Sequence, residues 1–287
     1  MLSSVYYVHK KLLVSKYTAI IQLIHGYLTR AVSIYARSQK NKCLEKKDIP
    51  LSKGKSDIKI SYISGVAFHF SKSHNSQTFS IADSIVSCLS ADLTGYFTVE
   101  VLPSGLIQIQ VTDSLLAVWL QSFIEQNGSV EASPVKFEVL EDGLSDCVFS
   151  IQYAHARCCS LLKLAQQEKL VDFDINVNKY PLEPIPWLKS DGQLRLNHQA
   201  ERCLIASLVR IVDELQPAIA RQVKWEGAAL NLVRAFEGFC RACRIHDDLK
   251  TTAPELVMAR IGLLATTQSV LRFLLEEKLS ISAWLEL

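Results

Sequence analysis

The sequence predicts two domains of different class. An α+β domain, helices with a small antiparallel sheet, covers residues 1–126; a linker covers 127–146; an all-helical domain covers 147–287. Three observations carry this reading. A chain of 287 residues suits two domains better than one. Two runs in the first half, Phe97–Val101 and Leu106–Val111, alternate apolar and polar residues, which is the period of a half-buried strand. Beyond residue 146 the apolar residues recur instead at three- and four-residue steps, the period of a helix.

Taken in order, Ile20, Ile21, Ile24, Leu28, Val32 and Tyr35 place an amphipathic helix within Val14–Tyr35, with Lys16, Arg30 and Arg37 off its apolar stripe. Lys40–Lys59 is polar and basic, holds Pro50 and Gly54, and reads as a loop. Its Lys53 and Lys55 are candidates to follow a phosphate backbone, or to solvate a loop. Ile63, Val66, Ala67 and Phe70 predict a helix over Ile60–Lys72, and a second helix follows with Ser80 as its N-cap. The two alternating runs meet at Pro103-Ser104-Gly105, a turn signal, and so predict a hairpin. Thr112 then opens a helix through Trp119 and Phe123. The linker contains Asn127-Gly128, Pro134 and Gly143, with a short strand over Val135–Leu140.

In the second half, helices are expected at 147–170, 198–215, 225–245 and 254–279. Val171–Asn197, with Pro181, Pro184 and Pro186, is an irregular crossing, where Tyr180 and Trp187 read as core-facing plugs. The first of these helices carries Ser150-Ile151-Gln152-Tyr153-Ala154-His155-Ala156-Arg157-Cys158-Cys159. Tyr153 and Arg157, four apart, share a face. That spacing fits a buried aromatic beside a surface charge, and equally a platform that stacks a base and pins a phosphate.

Charge is uneven although the formal net is only +2. Residues 1–60 carry a net of +9, residues 61–145 a net of −7, and residues 146–287 are balanced. The basic end is where polyanion contact, or a solvated face, is expected. The eight cysteines fall irregularly and suggest buried small hydrophobes in a reducing, cytoplasmic setting rather than a disulfide framework. Cys240-x-x-Cys243 has no partner pair, so no metal site is expected, and no Gly-rich phosphate loop is present. No run of about 18 apolar residues exists to span a membrane. The first 44 residues lack acids, as a transit peptide would, though they also fit an N-terminal helix.

Gln152-Tyr153-Ala154-His155-Ala156-Arg157 closely resembles the start of the anticodon-binding (DALR) domain of class I arginyl-tRNA synthetases. The blocks His198–Leu204, Ala235–Ile245 and Ala259–Leu271 resemble, in order, that domain's second, central and last long helices. More weakly, the helices leading to Leu102-Pro103-Ser104-Gly105-Leu106-Ile107 resemble the synthetases' N-terminal additional domain, which leans on the tRNA near the D-loop. The resemblance implies a DALR helical bundle and assigns Tyr153 and Arg157, with Gln152 and His155 beside them, to the anticodon loop; Arg241, Arg244 and Arg260 would add charge.

The sequence also departs from the family. Ser150 stands where an aromatic is usual, and Cys240 where a tyrosine is usual; together these losses remove about 2–6 kcal/mol of stacking. The catalytic domain that separates the two modules in the synthetases is replaced by about twenty residues, with neither a His-Ile-Gly-His-like nor a Lys-Met-Ser-Lys-Ser-like signature. The expectation is therefore a non-catalytic protein without cofactor that binds tRNA, with arginine tRNA the first candidate, or serves as a tRNA adaptor. The alternative is a protein-binding scaffold within a larger complex.

Overall fold

The first helix begins with its apolar stripe at Ile20 rather than at Val14, because the chain turns at Tyr17. That residue is left-handed (φ 63°), a conformation through which a right-handed helix cannot propagate. In the computed structural model, α1 therefore spans Ile20–Ser38, burying Ile20, Ile24, Leu28, Ala31, Val32 and Ala36. The structure describes residues 14, 17–38, 49–56, 58–74, 77–93, 95–125, 146–170, 184–216, 223–243 and 252–286. The linker strand at Val135–Leu140, Tyr180 and Arg244 lie outside those residues.

Two compact units form. One is Thr18–Leu116; the other is built on Ala117–Leu287, and Tyr17 belongs to it. The first unit holds α1, β1 (Leu51–Lys53), β2 (Ser61–Ser64), α2 (Val66–His74), α3 (Thr78–Leu93), β3 (Phe97–Val101) and β4 (Ile107–Val111). Its strands make one antiparallel sheet in the order β1-β2-β4-β3. The expected hairpin is β3–β4, with Val99 opposite Ile109. Ile107, Ile109 and Val111 face the core while Gln108 and Gln110 between them are half-buried, as the alternation required. At the turn, Gly105 N–H donates to the Leu102 carbonyl at 2.8 Å. Gly105 has φ 82°, and a Cβ there would stand 2.7 Å from Thr78 Cγ2, so both conformation and space demand glycine.

Two expectations in this unit are corrected. Ser61–Ser64 is not helical: it is β2, paired to β4 with Tyr62 opposite Ile109. Ser64 Oγ donates to the Pro50 carbonyl at 2.7 Å and accepts from Val66 N–H at 3.3 Å, so the helix starts only after it. The β-favouring Tyr62-Ile63 pair and the waiting edge of β4 override the helical spacing that continues from Ile63 to Phe70. Leu51–Lys53, expected as loop, is a short edge strand between Pro50 and Gly54. Ser80 lies in the first turn of α3, which begins at Thr78, rather than capping it.

The helix opened by Thr112 is α4 (Asp113–Glu125), and Thr112 Oγ1 accepts from Leu115 N–H. The division between the units falls inside it. From Ala117 onward its side chains serve the second unit: Phe123 stands edge-on to Tyr17, with centroids 5.4 Å apart, and Gln121 Oε1 accepts from Trp187 Nε1–H at 2.8 Å.

The second unit is all-helical: α5 (Asp146–Gln167), α6 (Gln199–Glu214), α7 (Trp225–Ala242) and α8 (Pro254–Phe273), the last running into a π-helical turn, Leu274–Lys278. Each lies where the helical period placed it. Every residue of α8 from Ala259 to Leu271 is buried, so α8 is the central helix, with α5 and α6 packed on it. The crossing segment packs on it through Ile185 and Trp187. Gly262 makes this possible, since a Cβ there would stand 2.5 Å from both side chains. Among the described residues no helix is long and apolar enough to cross a membrane.

Gly262→Ala forces the rigid indole of Trp187 outward. We expect it to lower unfolding free energy by about 1–3 kcal/mol in urea denaturation; an unchanged midpoint would contradict the close packing of this segment on α8.

Candidate nucleic-acid interface

On α5 the small residues Ala154, Ala156, Cys158, Cys159 and Ala165 are buried, with Ile151 and Leu162, where α7 and α8 approach. What remains outside is a stripe. Phe149, Tyr153, Arg157, Ser160, Leu164 and Gln167 recur at steps of three and four and are exposed or partly so. Phe149 is 49% exposed and Tyr153 42%, and their rings lie 6.4 Å apart at an interplanar angle of 32°. Tyr153, Arg157, Ser160, Lys163, Leu164 and Gln167, together with Glu286, line an open groove of about 550 Å³.

The sequence-derived residues separate into surface and interior. Tyr153 and Arg157 are brought together on the groove. Gln152 is buried, its Nε2–H donating to the Ser282 carbonyl at 3.0 Å. His155 is fully buried between α8 and the segment Ser280–Glu286, here called the strap. Its Nδ1 lies 2.7 Å from the Trp284 carbonyl and its Nε2 lies 2.9 Å from Gln268 Nε2. A carbonyl only accepts, so Nδ1 carries the proton and Nε2 accepts from the Gln268 amide. Arg260 is also interior. Its Nε donates to Glu201 Oε1 at 2.7 Å, and the other Glu201 oxygen accepts from His198 N–H, closing a capping box on α6. The expectation that Gln152, His155 and Arg260 meet RNA is thus replaced by structural roles: each is spent on holding the bundle together.

Arg241 is exposed on α7, with Glu237 at 3.9 Å. In the other unit Lys55 is exposed and Lys53 is half-buried on β1. Phe149 was missed by sequence reading, although its four-residue spacing from Tyr153 was a usable signal. Lys163, whose Nζ pairs with Glu286 at 2.7 Å, was missed too; only the fold brings residue 286 to α5.

The thiols near the site are neutral. Burial pushes Cys240 up to about 11, with the Arg157 charge pulling the other way. Burial likewise pushes Cys243 up to about 11 and Cys158 well above the usual thiol range. Among the described residues no cluster of three or more His, Cys, Asp or Glu side chains could hold a metal ion.

The second unit is thus a helical bundle whose helix α5 exposes an aromatic-basic stripe. Comparison with known proteins finds that residues 151–284 match the family model described as DALR anticodon binding domain. The chain is 30% identical over 156 residues to an arginine–tRNA ligase of Synechococcus sp., covering 53% of this chain but 24% of that enzyme. It is 33% identical over 127 residues to the arginine–tRNA ligase of Gloeobacter violaceus, covering 43% of this chain and 20% of that enzyme. The chain thus matches only about a quarter of these relatives' length. No solved structure matches it significantly.

Two stability predictions follow from the interior roles. Arg260→Ala strands Glu201 and should cost about 3–5 kcal/mol, whereas Arg157→Ala should stay within about 0.5 kcal/mol, both read by urea unfolding. His155 is held below its usual pKa, first by burial and then by the Arg272 charge, with the Trp284 carbonyl opposing; Cys159 and Gln268 also face the ring. The fold therefore favours the neutral ring. Its stabilisation is complete above the unfolded pKa, near 6.5, and falls as pH drops below that value. The wild type minus His155→Gln difference in unfolding free energy should shrink on acidification, by at most about 1.4 kcal/mol per pH unit. A difference independent of pH would contradict the buried neutral ring.

Proposed function

We propose that this protein binds tRNA through the exposed stripe of α5 and does not aminoacylate it. The observation that carries the reading is the placement of Tyr153 and Arg157 together on a solvent-open groove, with the exposed ring of Phe149 beside Tyr153, while their neighbours on the same helix are spent on the core. Paired, partly exposed aromatic rings offer a π-face to an unstacked base, and a guanidinium beside them offers a fork to phosphate or a base edge. Among the described residues Arg157 makes no ion pair, so it can meet an anion without first breaking one. The absence of a phosphate-cradling loop and of synthetase signature motifs supports the non-catalytic part of the proposal. Arginine tRNA is the first candidate ligand, because the matched relatives are named arginine–tRNA ligases. Arg241, on α7, is assigned a peripheral phosphate contact, and so are Lys53 and Lys55 of the N-terminal unit. A cytoplasmic setting completes the reading.

A second reading has one observation in its favour. Leu164, Trp284 and Leu285 add exposed apolar surface to Phe149 and Tyr153, and a protein partner could cover it.

Binding of total tRNA, measured at several salt concentrations, separates the two. The RNA reading expects affinity that falls steeply with salt, a loss of about 5- to 100-fold for Tyr153→Ala, and a salt slope shallower by about one unit for Arg157→Ala. Binding that ignores salt and both substitutions, or co-purification with a protein and no RNA, would contradict it.

A further inference from the structure

The groove has a cation on each rim, and one of them is already occupied. At 100° per residue, Arg157 is displaced to one side of the Tyr153–Ser160–Leu164 line and Lys163 to the other. Arg157, on one flank, makes no ion pair among the described residues. Lys163 stands on the opposite flank, where its Nζ is held 2.7 Å from Glu286 Oε1. Glu286 is no stray side chain. It belongs to the strap, which Ser280 (φ 56°) directs away from the π-turn, and whose backbone is fixed to α5 at the Ser282 and Trp284 carbonyls. The strap therefore delivers a carboxylate to the mouth of the groove, 123 residues along the chain from the lysine it meets.

Both partners are largely in water, with side chains 59% and 73% exposed. A pair of this kind is screened and weak, and contributes little to holding the fold. A phosphate is at least as good a partner for the ammonium, and a polyanion brings several at once.

We propose that Lys163 and Glu286 form a displaceable clasp on the groove: Glu286 occupies Lys163 in the free protein, and an RNA phosphate replaces the carboxylate on binding, so that RNA lies between Arg157 and Lys163. This rests on the tRNA reading above and adds to it a second phosphate-holding residue and an internal competitor. The competition tunes affinity, since a ligand must supply enough phosphate contact to open the clasp. A lone aromatic base stacked on Tyr153 would not open it.

The test is a double-mutant cycle on the full chain, with total tRNA as probe and affinity and salt slope as readouts. Glu286→Gln should tighten binding about two- to five-fold. Lys163→Gln should weaken it and reduce the salt slope by about one unit. In the Lys163→Gln background, Glu286→Gln should have no further effect, because the competitor then has nothing to release; this readout separates a clasp from general repulsion between RNA and an acid. If Glu286→Gln tightens binding equally in both backgrounds, the clasp is overturned. If Lys163→Gln changes nothing while Tyr153→Ala abolishes binding, the clasp falls and the tRNA reading stands. If neither wild type nor Glu286→Gln binds tRNA at any salt, both fall.

Discussion

The burial of α8 on every side is the constraint from which the rest of the second unit follows. A helix with Ile261, Leu263, Leu264, Val270 and Leu271 pointing in all directions cannot be stable until other elements surround it. Helices α5 and α6 and the 185–187 crossing each give it a face, and Gly262 lets the crossing come close. Its one charged residue in that buried stretch, Arg260, is neutralised by Glu201 of α6, which also caps α6. A single carboxylate thus ties the start of one helix to the middle of another. Such a pair fixes register more than it adds stability, because both charges had to be desolvated.

The same constraint decides which face of α5 is available for function. α5 lies against both α7 and α8, and the strap covers a further edge through Gln152 and His155, so the buried arc is wide. Only a narrow line of side chains remains, and Phe149, Tyr153 and Arg157 lie on it. The location of the candidate site is therefore a by-product of packing. His155 shows the link in one residue: its ring reads the strap on one nitrogen and α8 on the other, and it must stay neutral to do both.

Much of this was legible in the sequence, and the failures have physical causes. The C-terminal helices were readable because each is long, carries its period over many residues and is bounded by breakers such as Pro254. The β3–β4 hairpin was readable because its strands alternate and Gly105 marks the turn. β1 and β2 were not: they are three and four residues long, and Ile63 also fits the helical spacing of α2. β2 pairs with β4, nearly fifty residues downstream, which no local pattern encodes, and β1 pairs in turn with β2. Tyr153 and Arg157, which spacing and resemblance singled out together, are both exposed. Gln152, His155 and Arg260 stand in the same motifs, but a motif does not say which residues face outward. Lys163 drew no notice because its partner is distant in the chain.

The central claim is that the line through Phe149, Tyr153 and Arg157 is where nucleic acid lies. A photo-reactive benzophenone side chain at position 153, irradiated in the presence of total tRNA, tests it most directly. The account predicts a covalent RNA adduct mapping to an unpaired loop, with the anticodon loop first, and none when the same group replaces the buried Ile151 or the exposed Ile34 of the other unit. Labelling at position 153 no greater than at position 34, or an adduct to a protein in place of RNA, would contradict it.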